Sequence, residues 1–229
     1  MAIYCLADLH LSFGCSKSME IFKGWENYVQ KIEENWRRVV TDEDTVVIAG
    51  DISWAIKLRD AYQDFKFLNA LPGKKILIRG NHDYWWATAS KIKQFFAENN
   101  FNTLSILFNS AVICEDKWIC GTRGWINNSE EEKDEKIFAR ENQRFKSSVD
   151  KVQPDGREVI AFLHYPPVYY LNESEEIINL MIERNIKKCY YGHIHGGEAT
   201  KKVVNGNYKG ISLNLISCDY VGFCPVMVV

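Results

Sequence analysis

Short apolar runs rich in valine and isoleucine recur along this chain, separated by longer amphipathic segments. AIYCLA, TVVIAG, KKILIRG, EVIAFLH and KKCYYG read as buried strands. ENYVQKIEENWRRVV reads as a helix, with Val29, Ile32, Trp36, Val39 and Val40 at helical spacing. RDAYQDFKFLNAL (stopped by Pro72-Gly73), SKIKQFFAENN, SEEEKDEKIFARENQRFKSSVDKV and ESEEIINLMIERN read the same way. This alternation predicts an α/β fold. The middle stretch LSILFNSAVICEDKWICGTRGW reads as strands joined by tight turns, with a hairpin whose tip is Glu115 to Lys117. Ser129 with Glu132 forms a capping-box pattern, and the tail from Gly210 reads as two closing strands. No repeat or low-complexity linker interrupts the chain, so one domain over residues 1–229 is expected.

The strands differ from ordinary core strands in how they end. Asp8, Asp51, Asn81, His164 and His193 each follow one of the apolar runs. In α/β sheets, ligands collect beyond the carboxyl ends of parallel strands. Strand ends that deliver Asp, Asn and His to one edge therefore predict a site. Taken singly, such residues commonly cap a turn or satisfy a backbone group, and Asp83 alone could be a helix cap. Together they suit divalent transition metals. In Asp8-Leu9-His10 an extended backbone would point both side chains the same way, so both could chelate one ion. The same holds for His193 and His195 in YYGHIHGG. Four histidines, two aspartates and an asparagine are too many ligands for one ion and suit two, with a carboxylate bridging. Two ions roughly 3.5–4 Å apart can hold the attacking and leaving oxygens of a phosphoryl transfer.

With these residues assembled, the chain resembles the calcineurin-like metallophosphoesterases. Their ordered motifs appear as Asp8-Leu9-His10, Gly50-Asp51, Gly80-Asn81-His82-Asp83, His164 and Gly192-His193-Ile194-His195, spanning residues 8 to 195. The resemblance implies a two-sheet β-sandwich flanked by helices, a four-layer α/β/β/α arrangement. It implies two divalent ions, Mn, Fe, Zn or Ni. Asp8, His10 and His195 would bind the first, Asn81, His164 and His193 the second, and Asp51 would bridge. A metal-bridging hydroxide would attack phosphorus, while His82, not a ligand, would act at the leaving oxygen as acid or cation, oriented by Asp83. The G-D-x-x-D-R-G pattern of serine/threonine protein phosphatases is replaced here by GDISWAI, and 229 residues leave no room for the large cap of the superfamily's repair nucleases.

Composition narrows the substrate. The net charge is -2, which gives no broad positive field to steer nucleic acid. A small-molecule or nucleotide phosphate ester, with a phosphodiester favoured, is therefore expected over a nuclease using the same site or a metal-binding scaffold without chemistry. Trp54, Trp85, Trp86 and Trp125 flank the motif loops as core residues or as a pocket wall. Arg123 and Arg79 could hold a phosphate, against a default of ordinary salt bridges. MAIYCLADLH has no basic leader pattern, no apolar run reaches membrane-spanning length, and the seven cysteines lack a CxxC pair. Those features predict a cytoplasmic protein with free thiols.

Overall fold

The computed structural model describes residues 1–125 and 132–229, with side chains from 135 in the second stretch. Two mixed sheets carry the fold. The first is built from β1 (Ile3–Leu6), β2 (Thr45–Ala49), β3 (Lys74–Ile78) and β4 (Leu104–Ile106). The second uses β5 (Val112–Cys114), β6 (Lys117–Thr122) and β7 (Glu158–Leu163). A small hairpin, β8 (Val168–Tyr169) with β9 (Asn172–Glu173), precedes β10 (Lys188–Tyr191), β11 (Gly206–Tyr208) and β12 (Ile211–Leu215) of the second sheet. The closing strand β13 (Val226–Met227) returns to the first. The orders are β13-β1-β2-β3-β4 and β11-β12-β10-β7-β6-β5. The strands β1 to β4 run parallel, as do β6, β7, β10 and β12, while β13, β11 and β5 are antiparallel edges.

Side-chain alternation sorts these strands into layers. In β1 and β2, Ile3, Cys5, Val47 and Ala49 meet Ile160, Phe162 and Tyr190 of the second sheet. Their neighbours Leu6, Val46 and Ile48 face the other way, against α1 (Tyr28–Val39), α2 (Tyr62–Ala70) and α3 (Ala89–Glu98). Cys120, Ala161, Leu163 and Cys189 of the second sheet likewise meet α4 (Glu132–Val149) and α5 (Glu175–Glu183). Strands buried on both faces must be apolar throughout, which is why TVVIA carries no polar alternation. The result is the expected four layers, helices outside two stacked sheets.

Some local expectations shift. The hairpin pairs Cys114 with Lys117, so its tip is Glu115-Asp116, with Glu115 at φ 54° as a tight two-residue turn requires. The β8–β9 hairpin and β11 were not expected, because two- and three-residue strands leave no periodic signal. The Ser129–Glu132 cap rests on residues outside those described. All seven cysteines are free. No described helix is long and apolar enough to cross a membrane.

β3 buries a lysine among these apolar layers. Lys75 donates from Nζ to the Leu71 carbonyl and to Thr103 Oγ1 at 3.3 Å. Burial disfavours its ammonium and pulls its pKa from 10.5 down to about 8. Between those values the unfolded chain binds more protons than the folded one, so stability should rise with pH from about 8 to 10.5. Urea midpoints measured across that range should climb in the native protein, and Lys75→Met should abolish the climb.

Candidate metal centre

The parallel strands of both sheets end on the same side, and there the chain turns sharply. Ala7 pairs with Ser217 in a parallel bridge, tying the end of β1 to the segment after β12. Asp8 N donates to the Gly50 carbonyl and His10 N to the Asp51 carbonyl, both at 2.9 Å. His164 N donates to the Arg123 carbonyl at 3.0 Å, and Gly192 N to the His164 carbonyl at 3.1 Å. Four site residues take left-handed backbone conformations: Asp8 at φ 62°, His10 at 46°, Asp51 at 51° and His193 at 74°. Such conformations are costly for residues with a Cβ and persist where surrounding structure enforces them. They also overturn the period-two expectation, since neither histidine pair lies on extended strand. Asp8 and His10 do converge, but through a tight loop, while His193 and His195 part into two different groups.

Close backbone approach makes this crowding possible. A Cβ on Gly192 would lie 2.5 Å from the Ala7 Cβ and 2.6 Å from Asp8 Oδ2. One on Gly50, already at φ 93°, would lie 2.5 Å from His164 Nδ1.

Two groups of side chains could each hold an ion: Asp8, His10 and His195, and beside them Asp51, His164 and His193, with the ligand atoms of each group within 4.8 Å of one another. Asp51 reaches both. Its Oδ2 lies 3.7 Å from His10 Nε2 and its Oδ1 lies 3.5 Å from His164 Nε2. Asp8 and Asp51 are almost wholly buried. Asn81 Oδ1 completes the second group, 2.7 Å from His164 Nε2 and 2.9 Å from His193 Nδ1.

The hydrogen-bond pattern tests whether cations fit. His164 Nδ1 faces the Ala49 carbonyl at 3.0 Å and must donate to it, which leaves a lone pair on Nε2. That lone pair points at the Asn81 and Asp51 oxygens, acceptors all. His195 Nδ1 faces Asp219 Oδ1 at 3.2 Å, which leaves its Nε2 turned to His10 Nε2 at 3.2 Å. Bare nitrogens and oxygens packed together call for positive charge, and divalent ions would supply it. Ligand histidines whose other nitrogen bonds a carbonyl or carboxylate are oriented for the metal.

The electrostatics agree. Burial and the Asp8 carboxylate push Asp51 up to about 8. Burial alone would lower His195, yet Asp8 and Asp219 raise it to about 10, so the first group attracts a proton where metal charge fits. Burial and the neighbouring His164 hold His193 down at about 3, leaving a neutral ligand. Asp219 was missed in the sequence. It follows β12 in SCDY, another strand-end aspartate, and the same strand-end logic would have found it.

His82 and Asp83 take separate places. The His82 ring stands beside Trp54, centroids 4.5 Å apart, and its backbone N donates to Asp51 Oδ1 at 2.8 Å. Burial, His164 and Lys17 lower it to about 4, away from the protonated form that either expected role, acid or cation, would use. Asp83 does not orient it. Asp83 Oδ1 accepts from Ile52 N at 2.9 Å, Ser53 N at 3.2 Å and Trp85 Nε1 at 2.9 Å, and Oδ2 accepts from Gly80 N at 2.7 Å. Its two oxygens are taken up by these four donors, while His82 Nδ1 is buried without a partner. Asp83 therefore braces the two motif loops against each other, and Trp85 is core. Arg123 pairs with the buried Glu141 at 3.1 Å, the default reading. Trp54 stacks on His10, centroids 4.7 Å apart, and borders the site.

A family model described as calcineurin-like phosphoesterase matches residues 1–197. By sequence, no curated protein matches the chain. Among solved structures, a protein of unknown function from Aquifex aeolicus is similar at 19% identity and TM-score 0.56, covering 99% of this chain and 95% of its own. A phosphopantetheinyl hydrolase from Mycobacterium tuberculosis is similar at 10% identity and TM-score 0.59, covering 100% and 95%. A Thermus thermophilus protein, TT1561, is similar at 13% identity and TM-score 0.54, covering 84% and 81%. At these identities the likenesses concern the fold.

The packing around Gly50 gives a direct test. Gly50→Ala should push His164 off the Ala49 carbonyl and weaken manganese binding at least about tenfold, with the circular dichroism of the folded chain retained. Metal content after dialysis measures this, and unchanged manganese retention would contradict it.

Proposed function

The chain belongs to the calcineurin-like phosphoesterase family, a metal-dependent phosphohydrolase by that membership, and we propose that it hydrolyses small-molecule phosphodiesters at the centre just described. The observation that carries the reading is Asp51, one carboxylate oxygen directed to each ligand group at 3.7 and 3.5 Å. Members of the family bind a dinuclear metal centre. Here Asp8, His10 and His195 would hold one ion, Asn81, His164 and His193 the other, and Asp51 both. Two bound divalent ions supply Lewis acidity to the phosphoryl oxygens and lower the pKa of water.

The protein's own groups do the rest. His82 presents a ring nitrogen to the leaving oxygen and stabilises the charge that develops there. Asp83 fixes the loops that carry Asp51 and Asn81, so ligand geometry is set before substrate arrives. Asp219 holds the His195 ring through Nδ1. The similar phosphopantetheinyl hydrolase supports a hydrolase reading with an ester substrate. A single domain and a cytoplasmic setting belong to the same proposal; the family match over residues 1–197 supports the first and seven free thiols the second.

Hydrolysis of a chromogenic phosphodiester and its matching monoester, with manganese and a chelator control, tests the assignment. The diester should be preferred and chelator should stop turnover; a monoester preference would move the protein to phosphatase substrates. Asp51→Asn should lose manganese and activity together. His82→Ala should keep manganese and slow hydrolysis of an alkyl ester about a hundredfold or more. Full activity of the His82 variant on that ester would remove its role.

A further inference from the structure

A cavity of about 510 Å³ opens on the ligand centre from one side, and three of its lining residues are His10, His82 and His195. Asn81, His164 and His193 do not line it, so it meets the centre at the first ligand group and at the leaving-group histidine. Its size is that of a small-molecule site. The rest of its surface comes mainly from the loop between β1 and α1, which supplies Met19, Phe22, Lys23 and Trp25. No sequence signal marks this loop, because its apolar residues follow no period.

The chemistry of the lining is one-sided. Met19 and Trp25 are nearly buried, and Phe22 is half exposed with its ring free for contact. Trp54 is already engaged, stacked on His10, with Lys17 Nζ 3.4 Å from its ring centroid. Apart from the histidines, the polar side-chain groups are those of Lys23 and Asp219 and the indole N–H groups of Trp25 and Trp54, the latter buried without a partner. Asp219 already accepts from His195 Nδ1 at 3.2 Å and Gly196 N at 2.8 Å. Among the described residues, no asparagine, glutamine, serine, threonine, tyrosine or arginine lines the space. The edges of a nucleobase or the hydroxyls of a sugar would lose their water here and find few partners, which a binding site penalises heavily. An apolar group loses nothing and covers Met19, Phe22 and Trp25.

We propose that this cavity receives the leaving alcohol of the substrate and that this alcohol is apolar, an alkyl or aryl alcohol, not a nucleoside or a sugar. The assignment rests on the phosphoesterase reading, since it takes His82 to mark the leaving side. It narrows the ester class that the metal ligands, which touch only the phosphoryl group, leave open.

Calorimetric titration of the manganese-supplemented protein with hexylphosphonate and with thymidine 5′-monophosphate tests it. Both carry a phosphoryl anchor, so their difference reports the cavity. Hexylphosphonate should bind at least about tenfold tighter, and Phe22→Ser, a change at a half-exposed position, should cut that ratio about threefold or more. Thymidylate binding as tightly as hexylphosphonate would overturn the proposal, as would a ratio that Phe22→Ser leaves unchanged, or no binding of either ligand. Failure of the phosphoesterase reading would show separately, as absent manganese and no turnover of any chromogenic ester. A protein that turns over esters yet prefers the nucleotide refutes the cavity assignment alone.

Discussion

Two carboxylates, Asp8 and Asp51, lie buried in two adjoining groups of histidines, and the surrounding structure is organised around the positive charge they need. Taking an ion out of water costs several kcal/mol even after relaxation, so paired carboxylates at this depth demand compensation. The backbone provides part of it. His193 N donates to both Asp8 oxygens at 3.0 and 2.9 Å, and His82 N donates to Asp51 Oδ1. The rest calls for positive charge, and His10, His164, His193 and His195 surround the places where cations would supply it.

That demand explains the local geometry. Bringing strand-end loops from two sheets within ligand distance requires sharp turns, hence left-handed Asp8, His10, Asp51 and His193. It also requires backbones to touch, hence Gly50 and Gly192 without side chains. The strain is held by the apolar layers beneath. Cys5, Val47, Ile160 and Phe162 stack the sheets, and the Ala7–Ser217 bridge fixes the two carboxyl edges together at the centre itself. Asp83 plays the matching part laterally: two hydrogen bonds, from Ile52 N and Ser53 N, join the loop after β2 to the loop after β3, and two more, from Gly80 N and Trp85 Nε1, fix Asp83 within its own loop.

The proposed chemistry and selectivity are thus divided between different segments. The ligands sit on strand ends, where a packed core sets their positions. The cavity wall sits on the long connection between β1 and α1, whose Met19, Phe22 and Trp25 are free of the sheets' hydrogen-bond register. Loops of this kind tolerate change, so one rigid centre can serve ester substrates with different alcohols.

The α/β alternation was readable in the sequence because fully buried strands and amphipathic helices leave strong periodic signatures, as in TVVIA and the Ile32-Trp36 face of α1, while the layering of two sheets came from the family resemblance. Five of the candidate ligands, Asp8, Asp51, Asn81, His164 and His193, were readable because each follows such a run with a side chain that an apolar core excludes, and His10 and His195 by their spacing from Asp8 and His193. Other features depended on through-space neighbours. Asp83 lies next to His82 in the chain, yet its carboxylate meets the amides of Gly80, Ile52 and Ser53, since the nearest donors in space decide a buried acid's partners. His193 and His195 are two residues apart, yet a left-handed turn sends them to different groups. Asp219 meets His195 only because β12 lies beside β10. Residue order alone thus specified which side chains had to leave the core and which metal chemistry they suit. Packing in three dimensions decided which of them come together, what braces them and which cavity lies beside them, because distances between strand ends are set by how the sheets stack and not by spacing along the chain.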